Sequence, residues 1–227
     1  MLGGVRRRQR RPCRHGGPGP TDDHAACFFD PCTAAWSAVH DVGGLLAGEI
    51  VLVGGTAGAV GSVAAQLALL AGAGRVYGDV SARHAGDLPE GVTQVVAGEA
   101  PAGTGIRVDL LIDTAGGDRL PQSLDMVRPG GRAVVLGYTA GTRLCLDLPN
   151  WILADCALLP LNMLRREQDE RKAAAITAGL LARGRLTLPV RSYPRNELRR
   201  ALDDLENGRV RGGRCSGTVI RVARYQR

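Results

Sequence analysis

Lysine is nearly absent from this chain, and aromatic side chains are few. Arginine supplies all but one of the 29 basic residues, Lys172 is the single lysine, and aromatic residues make up 4%. No lysine follows the glycine-rich stretch near residue 55, which excludes the phosphate loop of Walker-type nucleotidases. No Tyr-x-x-x-Lys motif occurs either, and this excludes the usual active site of short-chain reductases.

Metal-binding and membrane-spanning patterns are also missing. The six cysteines form no C-x-x-C pair, and no two histidines have zinc-ligand spacing, so we predict no metal site. The longest apolar stretch, residues 50–74, is interrupted by glycines and a glutamine, so it is read as strand, turn and helix rather than a membrane span. The arginine-rich start lacks the apolar segment of a secretory signal, and we therefore expect a cytoplasmic protein.

The net charge of +7 is concentrated at the start of the chain. Residues 1–14 hold six arginines and no acid, which leaves +1 for the other 213 residues. A nearly neutral body does not favour a nucleic-acid partner. Residues 1–22 are rich in Arg, Gly and Pro and are predicted to be a disordered basic tail.

Apolar strands and helices alternate from residue 49 onward. The predicted strands lack a polar face and are "EIVLVG", "RVYGDV", "TQVVAG", "VDLLIDTAG" and "RAVVLG". Helices are predicted at 33–42, in "AVGSVAAQLALLAG" and "RLPQSLDMV", and at 167–184, and "RPGG" is predicted to be a turn. This pattern predicts an α/β fold with a doubly wound parallel sheet covered on both faces. The last forty residues, with strands "LTLPV" and "SGTVIRVA" around a helix "RNELRRALDDLENG", are predicted to form another layer.

The segment "GTAGAVG" joins the first strand to its helix through three glycines. Such a junction places free backbone N–H groups at the positive end of a helix dipole, which binds phosphate. We assign Gly55 to the tight turn, Gly58 to close approach of a pyrophosphate, and Gly61 to packing of the helix on the strand. Thr56, Ala59 and Val60 complete this predicted cradle. A glycine-rich turn within a core is the alternative, since the spacing is not G-x-G-x-x-G.

Five stretches of the chain follow one another in a characteristic order. They are "TAAWSAVHDVGGLLAGEIVLVGGTAGAVGSVAAQLALLAGAGRVYGDVS", "VDLLIDTAGG", "SLDMVRPGGRAVVLG", "LDLPNWILADCALLPLNML" and "YPRNELRRALDDLENGRVRGG". In this order they resemble the nucleotide-binding half of medium-chain dehydrogenases/reductases, on the quinone-oxidoreductase-like branch. The resemblance covers roughly residues 25–223. It implies a Rossmann domain that binds a nicotinamide dinucleotide.

The resemblance also implies a missing part. Members of the family carry an N-terminal GroES-like catalytic domain, with the zinc ligands and many substrate contacts, where this chain has about 30 residues. We therefore expect a tail at 1–22, a Rossmann domain at 23–184 and, at 185–227, a small remnant of the second, β-rich domain. We expect no zinc. One alternative is that the arginine-rich start reflects a wrong reading frame and that the natural protein is longer.

The end of the second strand decides between the two dinucleotides. Matched to NAD-dependent relatives, the position of the ribose-binding acid falls on Val80, and Asp79 is one residue early. Matched to quinone-reductase-like relatives, Ser81 stands where a phosphate-binding hydroxyl is common, and Arg83 is suited to a 2′-phosphate. We therefore favour NADP(H) over NAD(H).

The nicotinamide end is expected at the carboxyl ends of the fourth and fifth strands. This nominates, mostly through backbone atoms, Thr114, Ala115, Leu136, Gly137 and Tyr138. Tyr138 is a candidate proton donor to an enolate, with an exposed surface aromatic as the alternative. Asp113 is expected to have a structural role, and His40 and Asp41 to pack or cap.

The resemblance implies an NADPH-dependent oxidoreductase of the quinone oxidoreductase or enoyl reductase type. The reaction is hydride transfer to an activated C=C or C=O of a small molecule, with a partner chain possible as the source of the missing domain. The alternative is a non-catalytic relative that binds a nucleotide or acts as a scaffold. The family further implies a homodimer formed by pairing an edge strand near "TRLCLDL".

Overall fold

A six-stranded parallel sheet forms the centre of the protein. The computed structural model describes residues 21–80, 88–96, 105–207, 209–210 and 213–216. The sheet order is β3-β2-β1-β4-β5-β6, with every neighbouring pair parallel. Its strands are β1 (Ile50–Gly54), β2 (Arg75–Val80), β3 (Thr93–Val96), β4 (Val108–Asp113), β5 (Val127–Val135) and β6 (Ala157–Pro160). The chain winds outward from β1 in both directions, so the predicted doubly wound α/β fold is confirmed.

Helices cover both faces of this sheet. They are α1 (Asp22–Cys27), α2 (Phe29–Trp36), which continues as a π-helical turn (Ser37–Val42), α3 (Ala59–Leu70), α4 (Leu120–Leu124), α5 (Leu148–Ala154), α6 (Glu167–Ala182) and α7 (Leu198–Glu206). Successive strand residues point to opposite faces. Val51 and Val53 pack in the apolar layer of α3, whereas Leu52 packs in the layer of α4. The two layers make a continuous core on either side of β1.

The sheet edge differs from the prediction. Residues 142–147, within "TRLCLDL", form no strand in the described part of the chain, and β6 in "CALLP" is the edge strand next to β5. The reason is that Gly141 is bridged to Gly116 in the loop after β4, so the chain has already left the sheet. The predicted "RPGG" turn is a bulge inside β5, since Val127 pairs with Val108 but Arg132 pairs with Leu110.

The C-terminal layer is a two-stranded parallel sheet of β7 (Val190–Tyr193) and β8 (Gly213–Ser216). The prediction of a strand in "LTLPV" is wrong for residues 186–189, since β7 begins only at Val190. Leu186 and Leu188 are instead buried in the apolar core on the α3 side of the large sheet. The Tyr193 hydroxyl donates to Asp204 at 2.9 Å and so fastens β7 to α7. Most of "SGTVIRVA" lies outside the described residues, and the three-part domain division stays a prediction.

The described part of the chain begins just before α1. Residues 1–20 lie outside the described residues, and α1 begins at Asp22 with the Thr21 hydroxyl oxygen as its N-terminal cap. Among the helices that the structure describes, none is long and apolar enough to cross a bilayer.

Candidate dinucleotide-binding site

The turn after β1 is built around two glycines that face each other. Gly55 has a φ of +73°, a conformation that glycine adopts without strain. A Cβ on Gly61 would lie 2.3 Å from the carbonyl oxygen of Gly55, so the first turn of α3 rests directly on the glycine turn. Both glycines therefore have the geometric roles that the sequence predicts.

The N-terminus of α3 is open. Its N-cap is Gly58, which is exposed, has extended backbone (φ −79°, ψ 169°) and offers no side chain to cap the helix. The Gly58 N–H donates to the Gly55 carbonyl at 2.9 Å. The N–H groups of Ala59 and Val60 have no intrahelical carbonyl to bind, and no other partner among the described residues. These amides form the positive end of a 12-residue helix, which is a site for an anion.

Thr56 stabilises the turn from below. It is fully buried, its hydroxyl donates to the Val53 carbonyl at 2.6 Å, and its N–H donates to the Asp79 carbonyl at 3.2 Å. Gly78 on β2 leaves room for it, since a Cβ there would lie 3.0 Å from the Thr56 side chain. The Thr56 hydroxyl is therefore committed within the protein and does not face the open helix end.

The carboxyl ends of the three central strands place two carboxylates on one face. Gly54 at the end of β1 is paired with Asp79 on one side and with Asp113 on the other. Asp113 is buried, and one of its carboxylate oxygens accepts hydrogen bonds from the N–H groups of Ala115 and Gly116, both at 2.7 Å. Asp113 thus shapes the turn after β4, as expected of a structural residue.

Asp79 is held by an arginine from the segment after β4. Nη2 of Arg119 donates to both Asp79 carboxylate oxygens, at 2.7 and 2.9 Å. Burial raises the pKa of the Asp79 carboxyl, Arg119 opposes that rise, and the nearby charge of Asp113 adds to it. Arg119 was not predicted as a site residue, because no sequence signal relates it to a residue 40 positions earlier.

The loops after β4 and β5 are in direct contact at the predicted nicotinamide end. A Cβ on Gly137 would lie 1.9 Å from the carbonyl oxygen of Thr114. The Thr114 hydroxyl donates to the Gly54 carbonyl at 2.7 Å, and the N–H of Leu136 donates to the Asp113 carbonyl at 3.0 Å. Ala115 accepts from the N–H of Ala140 at 2.8 Å. The structure thus brings the predicted residues of these two loops together at one sheet edge.

The remaining predicted residues are placed differently. Tyr138 is 56% exposed, and its hydroxyl has no hydrogen-bond partner among the described residues. Ser81 and Arg83 lie outside the described residues, so the 2′-phosphate contacts stay a prediction. His40 stacks on Trp36 at 4.1 Å between ring centroids, and Asp41 accepts from the Ser37 hydroxyl at 2.8 Å, consistent with packing and capping.

The sequence model of a family described as "zinc-binding dehydrogenase" matches residues 90–213, more than half of the chain. The chain belongs to this family. It is a member of the medium-chain dehydrogenase/reductase superfamily, as its sequence motifs predict.

Three known proteins are similar to this chain in sequence or in fold. The spectinabilin polyketide synthase system protein NorB of Streptomyces orinoci is 39% identical over 114 residues, which cover 46% of this chain and 5% of NorB. The fold matches the CurF ER cyclopropanase from the curacin A biosynthetic pathway with a TM-score of 0.71 and 23% identity, covering 86% of this chain and 62% of that one. It also matches Escherichia coli quinone oxidoreductase complexed with NADPH, with a TM-score of 0.71, 20% identity and coverage of 86% and 64%. This chain therefore spans less than two thirds of each relative.

The family's description implies zinc, which proteins bind through several His, Cys, Asp or Glu side chains held close together. Among the residues that the structure describes, no three His, Cys, Asp or Glu side chains lie together as a metal site would need. Zinc binds the thiolate form of cysteine, whereas burial raises the pKa of the Cys32 thiol to about 12. The described residues do not fit a zinc ion, and no step proposed below involves one.

Proposed function

We propose that this protein is an NADPH-dependent oxidoreductase of the quinone oxidoreductase or enoyl reductase type. The observation that carries the proposal is the open N-terminus of α3, seated on the Gly55 turn at the carboxyl end of β1. A dinucleotide's pyrophosphate needs such bare amides at such a strand end. The match to an NADPH-complexed quinone oxidoreductase supports the choice of cofactor.

The residues of the site divide along the cofactor. The N–H groups of Ala59 and Val60 bind the pyrophosphate, and Gly58 lets it approach the helix because no side chain stands in the way. Thr114 and Gly137 position the nicotinamide through the two loops that contact each other. The bound cofactor supplies the hydride, and the protein orients it toward the substrate.

The substrate in this proposal carries an activated C=C or C=O. An enoyl thioester is favoured because NorB belongs to a polyketide synthase system and because CurK enoyl reductase has the same fold, with a TM-score of 0.67. An enone or a quinone has the same electronic character, since each can delocalise the negative charge that hydride addition creates. Hydride addition is therefore possible for all three substrate classes.

A second chain belongs to the proposal. The solved relatives are longer than this chain, and a hydride-transfer site needs walls that exclude water and hold the substrate. We propose that a partner chain supplies them, and that two copies pair along the free edge of β6. Cys32, Cys145 and Cys156 are free thiols, which is consistent with a reducing cytoplasm.

The test is to place a negative charge on the proposed pyrophosphate site without damaging the helix. Asp and Asn are both good N-cap residues, and Gly58 already has the extended backbone that they need. We expect Gly58→Asp to weaken NADPH binding at least about tenfold more than Gly58→Asn, because only the aspartate repels the phosphates. Nicotinamide fluorescence measures both dissociation constants.

Two results would overturn parts of the proposal. If the unmodified protein binds no NADPH at high micromolar concentration, the oxidoreductase function is wrong. Equal binding by Gly58→Asp and Gly58→Asn would move the cofactor away from α3. A third result, binding without oxidation of NADPH by a crotonyl thioester, an enone or a quinone, favours the non-catalytic alternative. The exposure of Tyr138, whose hydroxyl has no partner among the described residues, also supports that alternative.

A further inference from the structure

Resting on the function proposed above, we infer that Arg119 is a specificity-determining residue for the adenosine end of the cofactor. It pairs with Asp79, a carboxylate near the carboxyl end of β2, and it presents a cation there. In this way it favours a dinucleotide that carries a 2′-phosphate over one that has a free 2′-hydroxyl.

The Arg119–Asp79 ion pair lies beside the glycine turn. Asp79 is paired with Gly54 in the sheet, and its carbonyl accepts the N–H of Thr56, the second residue of the glycine turn. The ion pair is therefore adjacent to the turn that would hold the pyrophosphate. Arg119 reaches it from the segment after β4, so the pair bridges the ends of β2 and β4 across Gly54, which has no side chain.

The carboxylate of Asp79 is already engaged by Arg119. In NAD-binding Rossmann domains a carboxylate near the end of the second strand accepts the ribose hydroxyls. Here both oxygens of Asp79 already accept from Arg119, and the side chain is only 14% exposed. Asp113, the other carboxylate on this face, is buried, and one of its oxygens accepts from two backbone N–H groups. Asp79 is therefore engaged by Arg119, and burial shields Asp113 from a ribose.

The guanidinium of Arg119 uses only part of its hydrogen-bonding capacity on Asp79. A guanidinium has five N–H donors, and within the described residues Nη2 is the single Arg119 nitrogen with a hydrogen-bond partner. The side chain is 42% exposed, and no described residue pairs with Nε or Nη1, so we expect both groups to reach a ligand. Two such donors match two oxygens of a phosphate. Without Arg119, Asp79 and Asp113 would make this edge repel a phosphate.

The experiment separates the adenosine end from the rest of the cofactor. The probes are adenosine 2′,5′-bisphosphate and adenosine 5′-monophosphate, which differ by the 2′-phosphate alone, and calorimetry at low salt measures both. We expect Arg119→Gln to weaken binding of the bisphosphate about tenfold and to change binding of the monophosphate less than about twofold. Arg128→Gln is the matched control, because Arg128 also pairs with an aspartate, Asp109, but at the amino end of the sheet.

Two further variants separate recognition from folding. Asp79→Asn keeps the cation and removes its partner, so we expect binding of the bisphosphate to tighten about threefold. Asp79→Asn/Arg119→Gln removes the cation and also the carboxylate that repels a phosphate, so it should bind the bisphosphate better than Arg119→Gln but still more weakly than the unmodified protein. Full recovery of bisphosphate binding in this double variant, or an equal effect of Arg119→Gln on both probes, would make the pair purely structural and overturn the inference. Those outcomes leave NADPH binding by the unmodified protein intact, whereas absence of that binding would remove the proposed function itself.

Discussion

Gly61 lies against the carbonyl oxygen of Gly55, at a distance where the protein has no room for a Cβ. A methyl group on Gly61 would be 2.3 Å from that oxygen and 2.9 Å from the Cα of Thr56. This contact fixes where α3 starts and hence where its free N–H groups point. The proposed cofactor site therefore depends on a contact between two glycines that carry no functional group.

The first prediction concerns this contact. We expect Gly61→Ala to destabilise the protein by about 3 kcal/mol, because backbone atoms must move to admit the methyl group. NADPH binding should be lost with it, since α3 is displaced. Urea unfolding and fluorescence titration measure the two effects. Gly58→Ala is the control, because its Cβ meets only the Gly55 carbonyl at 3.2 Å, and a similar loss of stability there would contradict the explanation.

The second prediction concerns the two loops at the nicotinamide end. A methyl group on Gly137 would lie 1.9 Å from the Thr114 carbonyl oxygen, so Gly137→Ala must push the loops apart. We expect NADPH binding to weaken at least about tenfold, with a stability loss of about 2 kcal/mol. Thr139→Ala, an exposed position in the same loop, should have neither effect. Unchanged affinity in Gly137→Ala would place the nicotinamide elsewhere.

The third prediction concerns pH. Arg132 donates to the two Glu49 carboxylate oxygens at 2.8 and 2.7 Å, and these hydrogen bonds lower the pKa of Glu49 despite partial burial. A lowered pKa means that the folded state favours the ionised carboxylate. The pair therefore stabilises the fold fully above pH 4.5, the ordinary pKa of a glutamate, and this stabilisation is lost as the pH falls through the lower pKa of the folded state.

We therefore expect Glu49→Gln to cost about 2 kcal/mol at pH 7 and much less at pH 3. Urea unfolding of the variant and the unmodified protein at both values measures the difference. Protonation of other carboxylates with a lowered pKa, such as Asp204, destabilises both proteins equally and cancels from the comparison. A gap of equal size at pH 3 would show that Glu49 acts through packing and not through its charge.

The fourth prediction concerns Tyr138. A general acid contributes about 100-fold or more to the rate, whereas we expect Tyr138→Phe to change turnover of an enone or enoyl thioester less than about twofold. The reason is that the side chain is 56% exposed and nothing in the described part of the chain holds its hydroxyl in place. Steady-state kinetics with NADPH in excess provides the measurement. A 100-fold loss would make Tyr138 the proton donor after all.

Local parts of the site were predictable because adjacent residues encode them. A buried strand followed by "GTAGAVG" requires a turn with positive φ and a helix that starts at once, and Gly55 and Gly61 have these roles. The alternation of apolar strands with helices likewise predicted five strands of the parallel sheet. In contrast, Leu186 and Leu188 have the apolar pattern of a strand, and whether such residues pair or pack is decided by the surface that they meet.

The α/β alternation, the glycine turn and the family could all be read from the amino-acid order alone, since each depends on residues that are close together in the chain. Three other features emerged only from the folded arrangement: β6 is the edge strand, the loops after β4 and β5 contact at Gly137, and Arg119 binds Asp79. The strands β2 and β4 are far apart in sequence, and they become neighbours of the same strand only when the sheet assembles. A contact of that kind depends on the whole fold, so no local pattern predicts it.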